Sequence, residues 1–255
     1  LAIGEHPGMS GEAGSRAILD LPGRQKDLCR HVFSKSKRCI VVLFNGRPLD
    51  IRELESGAGA IIEAWFPGTQ GAYSLADLIF GDIEPEGRLT MSFPYAVGQI
   101  PVHYNCFNTG RPKVGDVDDY FKSGYLDIPN EPLYPFGFGL SYTTFEYSDP
   151  VLDKTEINHT QKINVRVRVK NTGKRKGFEL VQLYIRDLTG SVVRPVKELK
   201  DFKWTELNPG EVKDIEFIID SGMLKFYNAD MDYKHEPGEF YVMTGGNSRD
   251  LRSAS

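Results

Sequence analysis

"CIVVLFNG", residues 39–46, and "AIIEAWFPG", residues 60–68, decide the fold class of this chain. The first is apolar at six successive positions, three of them β-branched, without the alternation of a strand that has one wet face. That is the pattern of a strand covered on both sides, and such strands belong to parallel sheets flanked by helices. The second reads as another buried strand, with "FPGTQG" as its loop. Between and after them the period is helical. "LPGRQKDLCRHVF" (21–33) places Leu28, Cys29, Val32 and Phe33 at helical spacing, with Pro22 near the start, where a missing N–H costs least. "AYSLADLIFG" (72–81) is a second helix, stopped by Gly81. With "LAIG" (1–4) as the tail of an earlier strand, the pattern is βα alternation around a parallel sheet. A chain that begins on a strand's last residues is expected to be truncated. Ligands of such sheets collect in the loops beyond the carboxyl ends of the strands. Those loops are the opening one, residues 45–48 and residues 66–71.

From residue 98 to 135 the periodicity is lost to Gly, Pro, Asn, Asp and Tyr, as in a long functional or linking loop. The period then changes to two. "INVRVRVKN" (163–171) puts Ile163, Val165, Val167 and Val169 on one face and Asn164, Arg166, Arg168 and Lys170 on the other, an antiparallel strand with one solvated side. "NTG" turns the chain, "FELVQLYIRD" returns, "LKDFKWTEL" and "VKDIEFIID" flank an "NPGE" turn, and "EFYVMTG" closes the series. Short strands at this spacing form a β-sandwich of immunoglobulin or fibronectin type III kind. The expected architecture is therefore α/β plus all-β: an α/β domain with a parallel sheet and a long linking loop over 1–140, then the sandwich over 141–255.

The 255 residues suffice for two ordinary domains, and 40% of them are hydrophobic. Thirty-one basic against 35 acidic residues give a net charge of -4, with no basic stripe to track a phosphate backbone, so nucleic acid is not an expected partner. No apolar run approaches the roughly 18 residues of a membrane span, and no secretory signal is visible. Cys29, Cys39 and Cys106 are odd in number and irregular in spacing, which disfavours a disulfide framework or a CxxC metal site and tilts toward a reducing cytoplasm. The five histidines lack ligand spacing. No cofactor or metal is expected.

The strings "GEHPGMSGEAGSR…LPGRQ", "VVLFNGRPL", "AWFPGTQGAYSLADLIFGDIEPEGRLTMSFP", "GQIPVHYN", "NTGRP" and "LYPFGFGLSYTTFEYSD" in this order resemble the C-terminal half of a family 3 glycoside hydrolase of the bacterial β-glucosidase type. The resemblance covers nearly the whole chain. It implies a three-domain enzyme: an N-terminal (β/α)8 barrel carrying the nucleophilic aspartate and most contacts to the first sugar, an α/β sandwich, and a fibronectin type III-like domain. Only the last two would be here. The implied substrate is a β-linked oligosaccharide or glucoside, cleaved at its terminal β-D-glucosyl residue with retention of configuration. The barrel of the same protein is the implied partner, and a homodimer is compatible with the family. The fragment alone is expected to be nearly inactive, since one of two carboxylates and the sugar pocket are missing. The competing reading is a carbohydrate-binding or structural interaction module without catalysis.

Retaining glycosidases need two carboxyl groups about 5–5.5 Å apart, one to attack the anomeric carbon and one to protonate the leaving oxygen. By resemblance, the glutamate of "SGEAGSR", Glu12, is the general acid/base, reaching over the barrel from a glycine-framed loop. Arg16 would orient or screen it, and His6 would cap or pack the loop. Glu5 is the alternative acid/base; otherwise it is a carboxylate bonded to loop N–H groups or to a nearby cation. In "NTGRP", Arg111 is expected at an outer, leaving-group subsite, alone or next to a partner subunit; a loop-stabilising arginine is the equal alternative. Trp65 and Phe66 read as core before sugar platform. "NGRP" (45–48) reads as a domain-interface segment or simply as a turn.

Overall fold

The computed structural model describes residues 1–36, 38–112 and 120–254. They divide between two bodies, one of Leu1–Ile83, Met91–Val102 and Tyr125–Tyr134, the other of Glu84–Thr90, His103–Gly124 and Pro135–Ser255.

In the first body, β1 (Ala2–Gly4), β2 (Ile40–Phe44) and β3 (Ala60–Glu63) form a parallel sheet in the order β1-β2-β3. Ala2 lies opposite Val42, and Val42 opposite Ile62. The continuous apolar run thus becomes the central strand, with Val41, Val42 and Leu43 all buried. β3 departs from its sequence reading: it is an edge strand and only half-buried, because among the described residues nothing pairs beyond it. Helix α1 (Gln25–Lys35) joins β1 to β2, α2 (Arg52–Gly57) joins β2 to β3, and α3 (Gly71–Phe80) follows β3. In α1 the inward stripe is Gln25, Cys29, Val32 and Phe33 at i, i+4, i+7 and i+8. Leu28, expected on that stripe, sits about 80° from its centre and is 47% exposed. The short, charged α2 buries only Leu54 and gives the sequence no apolar period to detect. α3 stops as expected on Gly81, whose φ of 81° is left-handed.

The described part of the stretch without periodicity is tied by side chain-to-backbone bonds instead. Buried Gln99 donates to the carbonyls of Pro129, Asn130 and Glu131 at 3.0–3.1 Å and accepts the Tyr95 N–H at 2.9 Å. Phe93 and Tyr134 pair as an isolated antiparallel bridge. Residues 113–119 of that stretch lie outside the described residues.

The second body contains β4 (Phe145–Tyr147), β5 (Val151–Leu152), β6 (Lys162–Asn171), β7 (Gly177–Asp187), β8 (Glu198–Leu207), β9 (Val212–Asp220), β10 (Phe226–Tyr227), β11 (Tyr233–Lys234), β12 (Phe240–Gly245) and β13 (Leu251–Ala254). One antiparallel sheet runs β13-β12-β7-β8; the other is built on β6, which pairs with β4, β5 and β9. Their inner faces enclose Val165, Val167 and Val169 from β6, Val181, Leu183 and Ile185 from β7, and Ile215, Phe217 and Ile219 from β9. The period-two reading of residues 163–171 holds, with the arginines outside. β7 does not alternate. Its other face is covered as well, where Tyr104 stacks on Phe136 and meets Tyr184 edge-on, and Gln182 donates to the carbonyls of Gly137 and Gly246. Nor does β12 end the series, since β13 pairs with it at the end of the described chain.

Phe217 has no exposed surface and sits between the two sheets. Phe217→Ala is expected to cost about 3–5 kcal/mol, against roughly 0.5 kcal/mol for Arg166→Ala on the wet face. Paired urea unfolding curves followed by tryptophan fluorescence check both.

Candidate active site

The three loops at the carboxyl ends of β1, β2 and β3 meet one another, as the parallel sheet requires. Gly46 marks the junction. A Cβ there would lie 1.8 Å from Ser10 Oγ of the first loop and 3.0 Å from Phe66 Cε2 of the third, so only glycine fits. β1 is fixed at its end by the first residue of α1: the Gly4 N–H donates to Gln25 Oε1 at 2.7 Å, and Gln25 Nε2 donates back to the Gly4 carbonyl at 2.9 Å.

Glu5 follows at once. Its N–H donates to the Phe44 carbonyl at 2.7 Å, and its side chain has no exposed surface. Arg16 Nη1 lies 2.7 Å from Oε1, Arg47 Nε 3.2 Å from the same oxygen, and the Gly46 N–H donates to Oε2 at 3.3 Å. A buried carboxylate is tolerable only when paired and hydrogen-bonded in this way. Arg16, whose Nη2 also donates to the Asp20 carbonyl, is therefore a partner of Glu5, not the screen for Glu12 that the sequence led us to expect. His6 does cap the loop: its Nδ1 accepts the Gly8 N–H at 3.1 Å at the head of a single 3₁₀ turn, Pro7–Met9.

Glu12 lies in different surroundings. It is exposed and forms no hydrogen bond or ion pair among the described residues. It is the second residue of a four-residue turn closed by the Gly14 N–H on the Gly11 carbonyl at 3.1 Å. Ala13, the third residue, has a φ of 61°. That conformation belongs to glycine or asparagine in a turn of this shape, and in an L-residue it costs on the order of 1 kcal/mol. The legs of the turn are tied down by one group, since Arg47 Nη2 donates both to the Met9 carbonyl and, at 3.2 Å, to the Gly14 carbonyl.

The third loop brings an acid that the sequence reading passed over. Glu63 accepts the Trp65 N–H on Oε1 at 2.9 Å and Asn45 Nδ2 on Oε2 at 3.2 Å. Burial without a neighbouring cation pushes its carboxyl from an ordinary 4.5 up to about 7, and the two hydrogen bonds only partly oppose this. Asn45 is fully buried; its Nδ2 also donates to the Arg47 carbonyl at 2.8 Å, and its Oδ1 has no partner among the described residues. Trp65, at a φ of 49°, packs obliquely on Phe93 with ring centroids 6.0 Å apart, while Phe66 is 45% exposed. The available signal was an acid inside the apolar run "AIIEAW". "NGRP", read as an interface segment or a turn, supplies Asn45, Gly46 and Arg47 to the loop junction.

Arg111 belongs to the second body, Glu12 to the first. Arg111 is exposed, and its carbonyl accepts the Ser123 N–H at 2.7 Å. Among the described residues, no group of three or more His, Cys, Asp or Glu side chains could hold a metal ion, and no helix is long and apolar enough to cross a membrane.

Residues 1–142 match the glycosyl hydrolase family 3 C-terminal domain, and residues 179–248 match the fibronectin type III-like domain. The chain is 46% identical over 99% of its length to a periplasmic beta-glucosidase of Salmonella typhimurium, and 44% identical over its full length to a beta-xylosidase of Formosa agariphila. It covers 33% and 35% of those two proteins, about a third of each. Among solved structures, the beta-glucosidase of Listeria innocua in complex with glucose superposes on the whole chain with a TM-score of 0.95 at 43% identity, and the chain covers 35% of it.

Glu63 makes stability depend on pH. Its folded-state value lies above the unfolded one, so the folded protein holds a proton that the unfolded chain releases. The stabilisation is complete below about pH 4.5 and is lost as pH rises toward 7, on the order of 3 kcal/mol in all. Glu63→Gln is expected to flatten the curve of unfolding free energy against pH in that window, measured by urea titration at half-unit intervals.

Proposed function

This chain belongs to glycosyl hydrolase family 3, and on that premise we propose that it works as the C-terminal portion of a retaining β-glucosidase, with Glu12 as general acid/base. The two domains would be residues 1–140 and 141–255, and the nucleophile would come from a (β/α)8 barrel of the same protein. The observation that carries the assignment is the contrast between the two acids of the opening loop. Glu5 is consumed by Arg16, Arg47 and the Gly46 N–H, with no exposed side-chain surface to offer a substrate. Glu12 stands at the tip of a tied turn, exposed and uncommitted, at the end of the sheet where ligands of α/β folds collect.

In the first step the carboxyl of Glu12 gives its proton to the glycosidic oxygen while the barrel carboxylate attacks the anomeric carbon; the C–O bond to the leaving group breaks and the alcohol departs. In the second, the Glu12 carboxylate takes a proton from water as that water attacks the same carbon, and the nucleophile is released. An exposed acid suits this role only if the barrel closes over it and excludes water when substrate binds, so the chain alone should turn over little.

Terminal β-glucosyl residues are the proposed substrate because the Salmonella and Listeria beta-glucosidases are both similar over essentially the whole chain. The Formosa beta-xylosidase makes β-xylosides the second substrate to assay. Arg111 is proposed for an outer subsite, supported by its exposure in a segment rich in Tyr and Asn, and a homodimer goes with that proposal. A plain binding module would have no use for the uncommitted carboxylate of Glu12.

The test is Glu12→Gln in the intact protein, assayed on a dinitrophenyl β-glucoside with and without azide. A leaving group that needs no proton should still form the glycosyl-enzyme, while hydrolysis of that intermediate slows by about 100-fold or more. Azide should restore turnover and yield the β-glycosyl azide. Near wild-type turnover without azide would remove Glu12 from the role.

A further inference from the structure

We propose that Arg47 is the positioning residue of Glu12: its guanidinium, anchored on buried Glu5, holds both legs of the turn that carries the acid. This rests on Glu12 being the acid/base.

The argument starts from the turn itself. Glu12 has no partner of its own, and Ala13 beside it sits in a backbone region that L-residues leave readily. A four-residue turn with a strained third position would relax unless something outside held its ends. Arg47 Nη2 donates to the Met9 carbonyl before the turn and to the Gly14 carbonyl at its close, 3.2 Å away. One nitrogen thus sets the separation of the two legs.

The guanidinium is fixed in turn. Its Nε lies 3.2 Å from Glu5 Oε1 and 3.3 Å from Oε2, and Glu5 cannot swing, because Arg16 Nη1 and the Gly46 N–H hold the same carboxylate. The Arg47 backbone is also tied, its carbonyl accepting Asn45 Nδ2 at 2.8 Å. A planar fork of donors suits this position as a point charge would not. Lysine can reach the carboxylate or one carbonyl, but not all three acceptors at once.

An acid displaced by about 1 Å costs roughly 100-fold in a step that needs its proton, and little in a step that does not. The test compares kcat/KM of the intact protein on dinitrophenyl and phenyl β-glucosides for wild type, Arg47→Ala, Arg47→Lys, Glu12→Gln and the double variant Glu12→Gln/Arg47→Ala. For Arg47→Ala we expect kcat/KM to fall about 100-fold on the phenyl glucoside, to stay within a few-fold on the dinitrophenyl one, and azide to raise kcat. On the phenyl glucoside the double variant should be no slower than Glu12→Gln alone, since both changes remove the same proton.

Equal losses on both glucosides, no loss on either, or losses that multiply in the double variant would overturn the role of Arg47. Failure of Glu12 is read separately: if Glu12→Gln itself spares the phenyl glucoside, the acid/base assignment falls regardless of Arg47. If Arg47→Ala does not fold, Arg47→Lys carries the same test, because it keeps the charge beside Glu5. If neither variant folds, Arg47 belongs to the fold and not to catalysis, and the proposal is overturned.

Discussion

The carboxylate of Glu5 is the constraint on which the loop end of the parallel sheet depends. A charge with no exposed surface must be compensated where it lies, and here the compensation comes from three groups in two places in the chain: Arg16 eleven residues on, and Gly46 and Arg47 from the loop after β2. Meeting that demand brings the first and second loops together. It then leaves the outer nitrogen of Arg47 facing the Met9 and Gly14 carbonyls. The turn that displays Glu12 is thereby linked to the pairing of Glu5 through one guanidinium.

The βα alternation, the glycine stop of the third helix and the two-residue period of the sandwich were legible because each is a local pattern with one physical cause. "CIVVLF" is apolar throughout because β2 is central, and "INVRVRVKN" alternates because β6 has one wet face. What failed to show was set by partners distant in sequence. Leu28 is as apolar as Cys29, and only packing decides which of them faces in. β7 loses its alternation because residues near 104 and 136 cover its outer face, and nothing within "FELVQLYIRD" records that. After residue 90, one glutamine side chain bonds three carbonyls some thirty residues away, which leaves no periodic trace.

The candidate site divides along the same line. Resemblance singled out Glu12, and the chemistry of a retaining glycosidase said why an acid should stand on a glycine-framed loop. The partners of Glu5 could be stated only as a class, N–H groups or a nearby cation. Arg16 went to Glu5 instead of Glu12 because a buried carboxylate competes for a cation far more strongly than an exposed one: in water the same ion pair is worth little. Sequence proximity, four residues to Glu12 against eleven to Glu5, carried no weight against that difference.

Three glutamates stand near the carboxyl ends of one small sheet, and burial and pairing alone separate their chemistry. Glu5 is buried with two guanidinium groups and serves as a structural anion. Glu63 is buried among an amide, a backbone N–H and an aromatic residue; lacking a cation, it is pushed toward holding its proton near neutral pH. Glu12 is neither buried nor paired among the described residues. A general acid/base has to change charge twice in each cycle. Fixed compensation would oppose one change and fixed desolvation the other. The exposed, unpaired carboxyl of Glu12, on a turn whose ends Arg47 holds, suits the role proposed for it.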